Sequence, residues 1–434
     1  MFTPKRFFVI DDEGTDFLSH VPFLRRARDQ RTNGREEESK VALGSYLAAR
    51  LIDRLSQLNG SEEDLESFDW QVQTTRCFLE DLPSESAEAA HLLGILEAAA
   101  APGHQPGASL RMSLTAYSYY LDHEGRYEEA LEVLASVARS YGEQIPVSDC
   151  APFALFVGRL NRLLARWDAA NNAYEGAAEA AAEAGDTRSV LLSRLGRANV
   201  LRGQGNLPRA RAAIEQVIAA AAAPDLEDVR GKAYADLGVV LDIQGLALDS
   251  LQARYRAFEH AQDDRSRCRV LGDLGITLRD LGATGAARRA FEIVIASQAG
   301  FDVQSNAYLE LMDLESLVGN RVAFERRRQE AQKRSGQMPP SMMVDFHYKI
   351  GLGLARFGRL PRARSALAEA RALAEKHRLN EWYFRLDRVL KGLTSDAQPT
   401  DKDEVVAEAV HQDSPALAEI AEGLERYARQ VAGN

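Results

Sequence analysis

The stretch GRYEEAL at residues 125–131 returns six more times, in related form, along this chain of 434 residues. The equivalent segments are ARWDAAN (165–171), GNLPRAR (205–211), GLALDSL (245–251), GATGAAR (282–288), GNRVAFE (319–325) and GRLPRAR (358–364). Their first residues lie 40, 40, 40, 37, 37 and 39 positions apart. A regular period of this length is typical of repeat proteins, in which one helical or sheet unit stacks on the next. The sequence therefore predicts a repeat array rather than several separate globular domains.

Small side chains flank these turns at constant distances. Seven residues before the turns stand Ser118, Gly158, Ala198, Gly238, Gly275, Met312 and Gly351, and five residues after them stand Ala130, Ala170, Ala210, Ser250, Ala287, Phe324 and Ala363. Small residues on two successive helices let their backbones approach closely, and glycine at the turn accepts a positive φ. The pattern predicts one helix-turn-helix pair per repeat. In the sixth repeat Met312 and Phe324 are too bulky for this contact, so we expect a wider pair there.

Two further positions keep the same register. Aromatic residues stand nine after the turn at Tyr174 and Phe291, and alanines stand twelve after it at Ala177, Ala257, Ala331 and Ala370. With the small residues, this signature resembles the tetratricopeptide repeat over residues 109–378, in a bacterial type with lengthened units, since that family's repeat is about 34 residues. The proline that usually closes each unit is missing. The resemblance implies an all-α fold, a right-handed superhelical α-solenoid of about seven repeats whose first helices line a concave groove.

Four segments lie outside the repeats. The predicted segments are an extended or flexible arm at 1–35, a helical bundle or degenerate first repeat at 36–108, a capping helix at 379–394, and a linker with a C-terminal amphipathic helix at 395–434. Within the bundle, apolar spacing, Ser61 as a helix cap and the Asn59-Gly60 stop predict helices near 37–58, 62–81 and 85–101. The C-terminal helix has two interpretations: it packs back on the repeats, or it docks on a partner or a second copy.

Composition and motifs limit the classes of function that this chain can have. The formal net charge of −11 opposes general binding to nucleic acid or to anionic membranes. No stretch approaches the roughly 20 apolar residues that cross a bilayer, so we expect a cytoplasmic protein. The three cysteines and eight histidines have no metal-ligand spacing, and no phosphate-binding loop or nucleophile motif occurs. The sequence predicts no cofactor, no metal and no enzymatic activity; an enzyme with its site in 1–108 is the least favoured alternative.

The resemblance also implies which residues face a ligand, namely those thirteen, ten, six and three positions before each turn. The resulting candidate groove residues are Tyr119, Arg159, Arg162, Asn199, Arg202, Lys232, Arg269, Arg279, Asn306 and Tyr348. Arginine and lysine dominate this set although the chain is acidic. Guanidinium groups bind carboxylates bidentately, so the set predicts an acidic peptide segment or a free C-terminus as ligand. The alternative is that these side chains are solvated or paired with neighbours such as Asp242 and Asp280.

Two functions are consistent with these patterns. The first is a non-catalytic scaffold or adaptor that captures a protein or peptide partner in the groove. The second is a peptide-responsive regulatory sensor in which the groove controls the N-terminal helical bundle; it rests on the outline of the architecture alone. Homo-oligomerisation through the C-terminal helix is a further option. The sequence does not identify the partner.

Overall fold

The computed structural model describes residues 20–83, 85–101, 103–141, 145–377, 379–393 and 414–432. Within these ranges the regular structure is helical throughout, which confirms the all-α class. The chain forms two compact units, residues 1–213 and 214–434. Because that boundary falls inside the predicted repeat segment 109–378, the predicted division into segments stays a proposal.

Unit 1 contains the N-terminal helices and the first repeats. Its helices are α1 Val21–Thr32, α2 Glu36–Ser56, α3 Glu62–Glu80, α4 Ala87–Ala99, α5 Ala108–His123, α6 Tyr127–Tyr141, α7 Val147–Leu163, α8 Trp167–Glu183 and α9 Thr187–Gly203, and the unit boundary lies within α10 Leu207–Ala220. Helices α5 and α6 pack against each other, as do α7 and α8. Each of these pairs flanks one predicted turn.

Unit 2 continues with the same helical pairs. Its further helices are α11 Glu227–Ile243, α12 Ala247–His260, α13 Asp264–Asp280, α14 Thr284–Ala296, α15 Phe301–Leu317, α16 Arg321–Arg334, α17 Pro340–Arg356, α18 Leu360–Lys376, α19 Asn380–Gly392 and α20 Pro415–Ala432. Short 3₁₀ turns precede α11 and α17. The pairs α11–α12, α13–α14, α15–α16 and α17–α18 pack side by side across the predicted turns.

The seven turns share one hydrogen-bonded helix cap. At the first turn the Gly125 amide donates to the Asp122 carbonyl (3.0 Å) and the Arg126 amide donates to the Leu121 carbonyl (2.8 Å), and equivalent bonds recur at the other six. This is the Schellman arrangement, which needs a residue with positive φ. All seven turn residues have it, six as glycine with φ of 69–79° and the seventh as Ala165 with φ of 55°. The predicted positive φ is confirmed.

Helix pairs approach closely at the small residues. The Ser250 hydroxyl of α12 donates to the Gly238 carbonyl of α11 at 3.0 Å. A Cβ placed on Gly351 would lie 3.3 Å from the Ala363 carbonyl oxygen, and one placed on Gly275 would lie 2.6 Å from the Phe291 ring. The contact between small residues that the spacing predicts is therefore confirmed for Gly238 with Ser250 and for Gly351 with Ala363, whereas Gly275 packs against Phe291.

The sixth repeat accommodates its bulky residues differently. Met312 and Phe324 are both fully buried. The Phe324 ring lies over Gly353 of α17, where a Cβ would approach it to 2.4 Å, and it meets Phe357 edge to face with centroids 5.4 Å apart. Its bulk is thus taken up by the next repeat. The wider helix pair stays a prediction.

The N-terminal helices agree with the sequence except at α1. Helices α2, α3 and α4 match their predicted positions, and the Ser61 hydroxyl caps α3 by accepting from the Asp64 amide at 3.3 Å. The extended arm predicted for 1–35 is wrong for residues 21–32, which form α1. Phe23 and Ala27, four residues apart, are buried against α2 and provide the apolar face that stabilises this helix. Residues 1–19 lie outside the described ranges.

Two C-terminal helices complete unit 2. Helix α19 packs on α18 and buries Leu386 and Val389, and Leu393 directly after it is buried in the same cluster. Its role as a capping helix stays a prediction. Helix α20 packs against α12 and α14, and its residues Leu417 and Ile420 are buried in their core. The C-terminal helix therefore packs back on its own chain. The predicted linker at 394–403 lies outside the described residues.

Candidate binding groove

The candidate residues of unit 1 lie on the first helices of three repeats. Tyr119 on α5 is 54% exposed, and its ring stacks on the buried Phe156 of α7 with centroids 4.5 Å apart and planes 13° from parallel. Partial burial, and then the nearby Asp122 carboxylate, raise the pKa of Tyr119, so its hydroxyl stays protonated at neutral pH. A large aromatic side chain is thus exposed and held in one orientation.

The polar candidates of unit 1 differ in how far their side chains are exposed. The Arg159 guanidinium on α7 pairs with Asp122 of α5 at 2.5 Å, although Arg159 remains half-exposed. Arg162 and Arg202 are partly exposed, on α7 and α9. Asn199 on α9 is only 8% exposed, so its side chain is largely buried. Tyr119, Arg159 and the two other arginines therefore reach the surface, and Asn199 barely does.

In unit 2 three candidates are accessible. Lys232 on α11 is half-exposed and pairs with Asp228, one turn earlier, at 3.3 Å. Arg269 on α13 and Asn306 on α15 are exposed. All three stand thirteen positions before their turns, the place at which the resemblance implies a ligand-facing side chain.

Arg279 is engaged within the protein. Its guanidinium contacts Asp280 at 2.9 Å, Glu310 at 2.6 Å and Asp313 at 3.2 Å, and its side chain is largely buried. Burial opposes its charge, but the carboxylates, Glu310 first, outweigh that effect and raise the pKa of Arg279. For this residue the paired interpretation of the basic set is confirmed, with Asp280 among the partners. A ligand carboxylate would have to compete with three protein carboxylates.

The same ionic network extends to α17. The buried Lys349 ammonium contacts Glu310 at 2.7 Å and Asp345 at 2.6 Å, and Arg356 contacts Asp313 at 2.6 Å. Burial would raise the pKa of Asp313, but the cations, Arg356 first, lower it instead. The carboxylates of these helices thus neutralise the cations beside them. The spacing rule included Arg279 but did not give its pairing with Glu310 and Asp313, because these partners lie 31 and 34 residues further along the chain.

Tyr348 is not a groove residue. It is 2% exposed, and α19 covers it: Trp382 meets its ring at 5.5 Å and the Arg385 guanidinium lies 4.8 Å from its centroid. The spacing rule placed Tyr348 in the groove because it only counts positions before the turn and assumes open space beside them. Here α19 occupies that space instead.

A cavity lies beside Tyr119 in unit 1. It measures about 130 Å³ and is enclosed by α5, α6 and α7. Its apolar walls are Tyr119, Leu134, Val137, Ile145, Phe153 and Phe156. Arg111 and Asp149 also line it and form an ion pair with each other. Sequence reasoning identified Tyr119 alone among these residues, because a cavity between three helices leaves no spacing signal.

A buried polar network joins α5 to the N-terminal helices. The Glu88 carboxylate of α4 accepts from Tyr117 of α5 at 2.7 Å and pairs with Arg26 of α1 and Arg126, both at 2.8 Å. Burial alone would raise the pKa of Glu88, but the two arginines and the Tyr117 hydroxyl lower it to about 2. Tyr117 stands two residues before Tyr119, so α5 has a buried side that joins this network and an exposed side that carries Tyr119.

The described residues also bear on metal binding and on membrane insertion. Over the described ranges, no cluster of His, Cys, Asp and Glu has the arrangement of a metal site. None of the described helices combines the length and apolar character required to cross a bilayer. Cys77, Cys150 and Cys268 are free thiols.

Paired helices and a shared turn cap define the chain as an all-α array of helix-turn-helix repeats. No family model and no curated protein matches it. Among solved structures, similarity extends to the Rap conjugation gene regulator of the plasmid pLS20 in complex with the Phr* peptide, with 15% identity, 77% of this chain and 97% of that chain covered, and a TM-score of 0.45.

Two other solved structures are similar at the same distant level. The apo form of RapI has 12% identity, covers 62% of this chain and 98% of its own, and gives a TM-score of 0.44. The APC/C hetero-tetramer Cut9-Hcn1 has 12% identity, covers 84% of this chain and 75% of its own, and gives a TM-score of 0.40. Similarity of this order does not identify a ligand.

Proposed function

We propose that this chain is a non-catalytic scaffold that captures a protein or peptide segment along the first helices of its repeats. The observation that carries the proposal is the exposed set Tyr119, Arg159, Lys232, Arg269 and Asn306. These residues stand either six or thirteen positions before their turns, on helices whose other faces are buried in the core. Side chains that packing does not require are available for a partner. A cytoplasmic location belongs to the same proposal.

The chemistry of the partner differs between the two units. In unit 1 the half-exposed Arg159 and the partly exposed Arg162 present guanidinium groups, so an acidic residue of the partner has a place to bind. In unit 2 the carboxylates Glu310, Asp313 and Asp345 offset Arg279 and Lys349. We therefore place any preference for an acidic segment in unit 1. A second copy of the chain is a less favoured partner, because α20 already covers its apolar face with α12 and α14.

A selection from a random peptide display library on the full chain tests this function. We expect enriched peptides whose binding falls about tenfold or more in the double variant Arg159→Glu/Arg162→Glu, since each charge reversal turns attraction into repulsion. The matched control is Arg326→Glu/Arg328→Glu on α16, a second helix of its repeat. A chain that enriches no peptide and binds no protein partner would contradict the scaffold function.

A regulatory sensor is the second candidate. The observation that favours it is the two-sided helix α5, on which Tyr119 is exposed and Tyr117 bonds the network of Glu88, Arg26 and Arg126. A ligand that moves α5 would strain bonds that hold α1 and α4. Hydrogen exchange of α1 in the full chain, measured with and without a selected peptide, separates the candidates: a sensor changes protection there, whereas a simple scaffold leaves it unaltered.

A further inference from the structure

The cavity between α5, α6 and α7 has the size of a single side chain. Its volume is about 130 Å³. For comparison, an engineered apolar cavity of about 150 Å³ in another protein holds one benzene molecule. A leucine, methionine or phenylalanine side chain therefore fits, whereas a whole peptide turn does not. The partly exposed Tyr119 and Asp149 in its lining connect the cavity with the surface.

The cavity also lies on the predicted ligand-facing side of its helices. Thr115 and Tyr119 stand ten and six positions before Gly125, and Pro152 stands thirteen positions before Ala165. All three line the cavity. The spacing rule and the geometry thus agree on this place, although they rest on different observations.

The polar groups of the lining already have partners. Arg111 pairs with Asp149, whose other carboxylate oxygen accepts from the Ser148 hydroxyl at 3.1 Å. The Thr115 hydroxyl donates to the Arg111 carbonyl at 2.8 Å. The lining therefore has no net charge to neutralise. A charged occupant would lose hydration without gaining a counter-ion, so the cavity favours an apolar occupant.

One wall is both rigid and accessible. Tyr119 stacks on Phe156, which is 7% exposed and fixed in the core, while Tyr119 itself is 54% exposed. Aromatic side chains that keep one orientation cost little entropy on binding and are frequent at the energetic centres of interfaces. A partner side chain entering the cavity would pack against this ring.

We propose that the cavity beside Tyr119 holds one large apolar side chain of the captured peptide. This inference rests on the proposed function and sharpens it. The partner side chain that fills the cavity, which we call the anchor, is held in unit 1 by shape and apolar contact rather than by charge. The arginines Arg159 and Arg162 then act on the residues that flank the anchor.

The cavity is tested directly in the full chain with labelled methyl groups. The probes are N-acetyl-L-leucinamide and N-acetyl-L-phenylalaninamide, with the α-amide of N-acetyl-L-glutamic acid as the charged comparison. We expect saturable NMR shifts of the Leu134, Val137 and Ile145 methyl groups with the apolar amides only. Equal shifts with the glutamic acid amide, or none with any probe, would overturn the apolar pocket.

Variants link the cavity to peptide binding. Thr115→Trp fills the cavity from its edge, and Tyr119→Ala removes one wall without burying new polar atoms. Each should lower the affinity for a selected peptide about tenfold or more, because the binding free energy from burying one large apolar side chain is lost. Trp70→Ala on α3 is the matched control, because Trp70 is an exposed aromatic of the same unit outside the cavity lining; its affinity should stay within about twofold of the wild type.

The outcomes separate this inference from the function on which it rests. If the full chain selects peptides and Thr115→Trp and Tyr119→Ala bind them as well as the wild type, the anchor is wrong and the scaffold function stands. If peptides are selected and both variants lose them while Trp70→Ala does not, the anchor is supported. If no peptide is selected, the function fails and the anchor fails with it.

Discussion

At the scale of single residues, Ala165 carries conformational strain that the other turns avoid. Its φ of 55° lies in the left-handed region, whereas the six equivalent turns use glycine. Left-handed φ costs a residue with a Cβ about 1–2 kcal/mol, partly offset by the greater freedom of glycine in the unfolded chain. We expect Ala165→Gly to raise the free energy of unfolding by about 0.5–1 kcal/mol, measured by urea denaturation of the full chain.

The reverse substitution at an equivalent turn is the control. Gly205 has a φ of 79°, and a Cβ placed there would meet no heavy atom within 4 Å. Gly205→Ala should therefore lower the free energy of unfolding by about 1 kcal/mol through backbone strain alone. If Ala165→Gly destabilises the protein, the strain is not the dominant effect at this turn.

His20 makes the attachment of α1 dependent on pH. It precedes α1, is buried, and lies between Asp53 of α2 (2.9 Å from Nε2) and Glu132 of α6 (3.0 Å from Nδ1), with Arg139 of α6 also bonded to Asp53. Burial lowers the pKa of His20, but hydrogen bonds and charge from Asp53 and Glu132 outweigh it, so the folded pKa is above the ordinary 6.5.

The direction of the pH effect follows from that shift. A raised folded pKa stabilises α1 fully below about pH 6.5, and this stability is lost as pH rises through the folded pKa. Amide exchange in α1, corrected for the chemical exchange rate, should therefore be faster at about pH 9 than at about pH 6. His20→Gln should remove most of this difference. The same pH dependence in the variant would exclude His20 as its source.

Residue types predicted backbone geometry better than side-chain pairing. Six glycines at fixed spacing predicted the positive φ of their turns, because only glycine adopts it without strain. The partners of Arg279 were only partly predictable: Glu310 and Asp313 lie 31 and 34 residues further along the chain. Such contacts depend on how two helices are rotated about their axes, and the spacing rule does not give that rotation to the accuracy an ion pair needs.

At the scale of elements, two glycines of α13 distinguish the effect of helix propensity on stability from the effect of packing. Gly275 faces the fully buried Phe291, and an added Cβ would lie 2.6 Å from the ring, whereas Gly272 has no such neighbour within 4 Å. Alanine favours a helix over glycine by about 1 kcal/mol, so Gly272→Ala should stabilise unit 2 by about that amount. Gly275→Ala should destabilise it by about 1–3 kcal/mol through overpacking, measured by urea denaturation.

A compensating substitution tests whether overpacking causes the destabilisation expected for Gly275→Ala. Phe291→Leu shortens the facing side chain and should recover part of the stability lost in Gly275→Ala, although alone it destabilises the protein by leaving a void. Additive losses in the double variant would show that the two positions do not interact, contrary to the close contact in α13 and α14.

Elements at the chain ends were predicted less well than the repeats. Helix α1 was missed because its buried apolar residues, Phe23 and Ala27, are few beside its four arginines, so the segment was predicted to be an extended or flexible arm. Its stability comes from burial against α2 and from the ion pairs of Arg26, which are tertiary features. For α20 the apolar stripe was evident, but only the structure decides that its face is covered by α12 and α14.

At the scale of the whole molecule the net charge is −11, although positive and negative side chains balance one another locally on the helices. The exposed basic residues of the first helices therefore give local attraction without a general affinity for polyanions. Fold class and repeat register could be predicted from the sequence because the period repeats seven times. The ligand could not, because the side chains that decide it do not repeat.

The central claim is that the first helices of the repeats form the binding surface. Hydroxyl-radical footprinting of the full chain, with and without the tightest selected peptide, tests it most directly. We expect the peptide to lower the modification of Tyr119 and of other exposed residues on α5 and α7, while Trp70 on α3 and Val322 on α16 react as before. Protection of Val322 or of α20, with Tyr119 unchanged, would contradict the account.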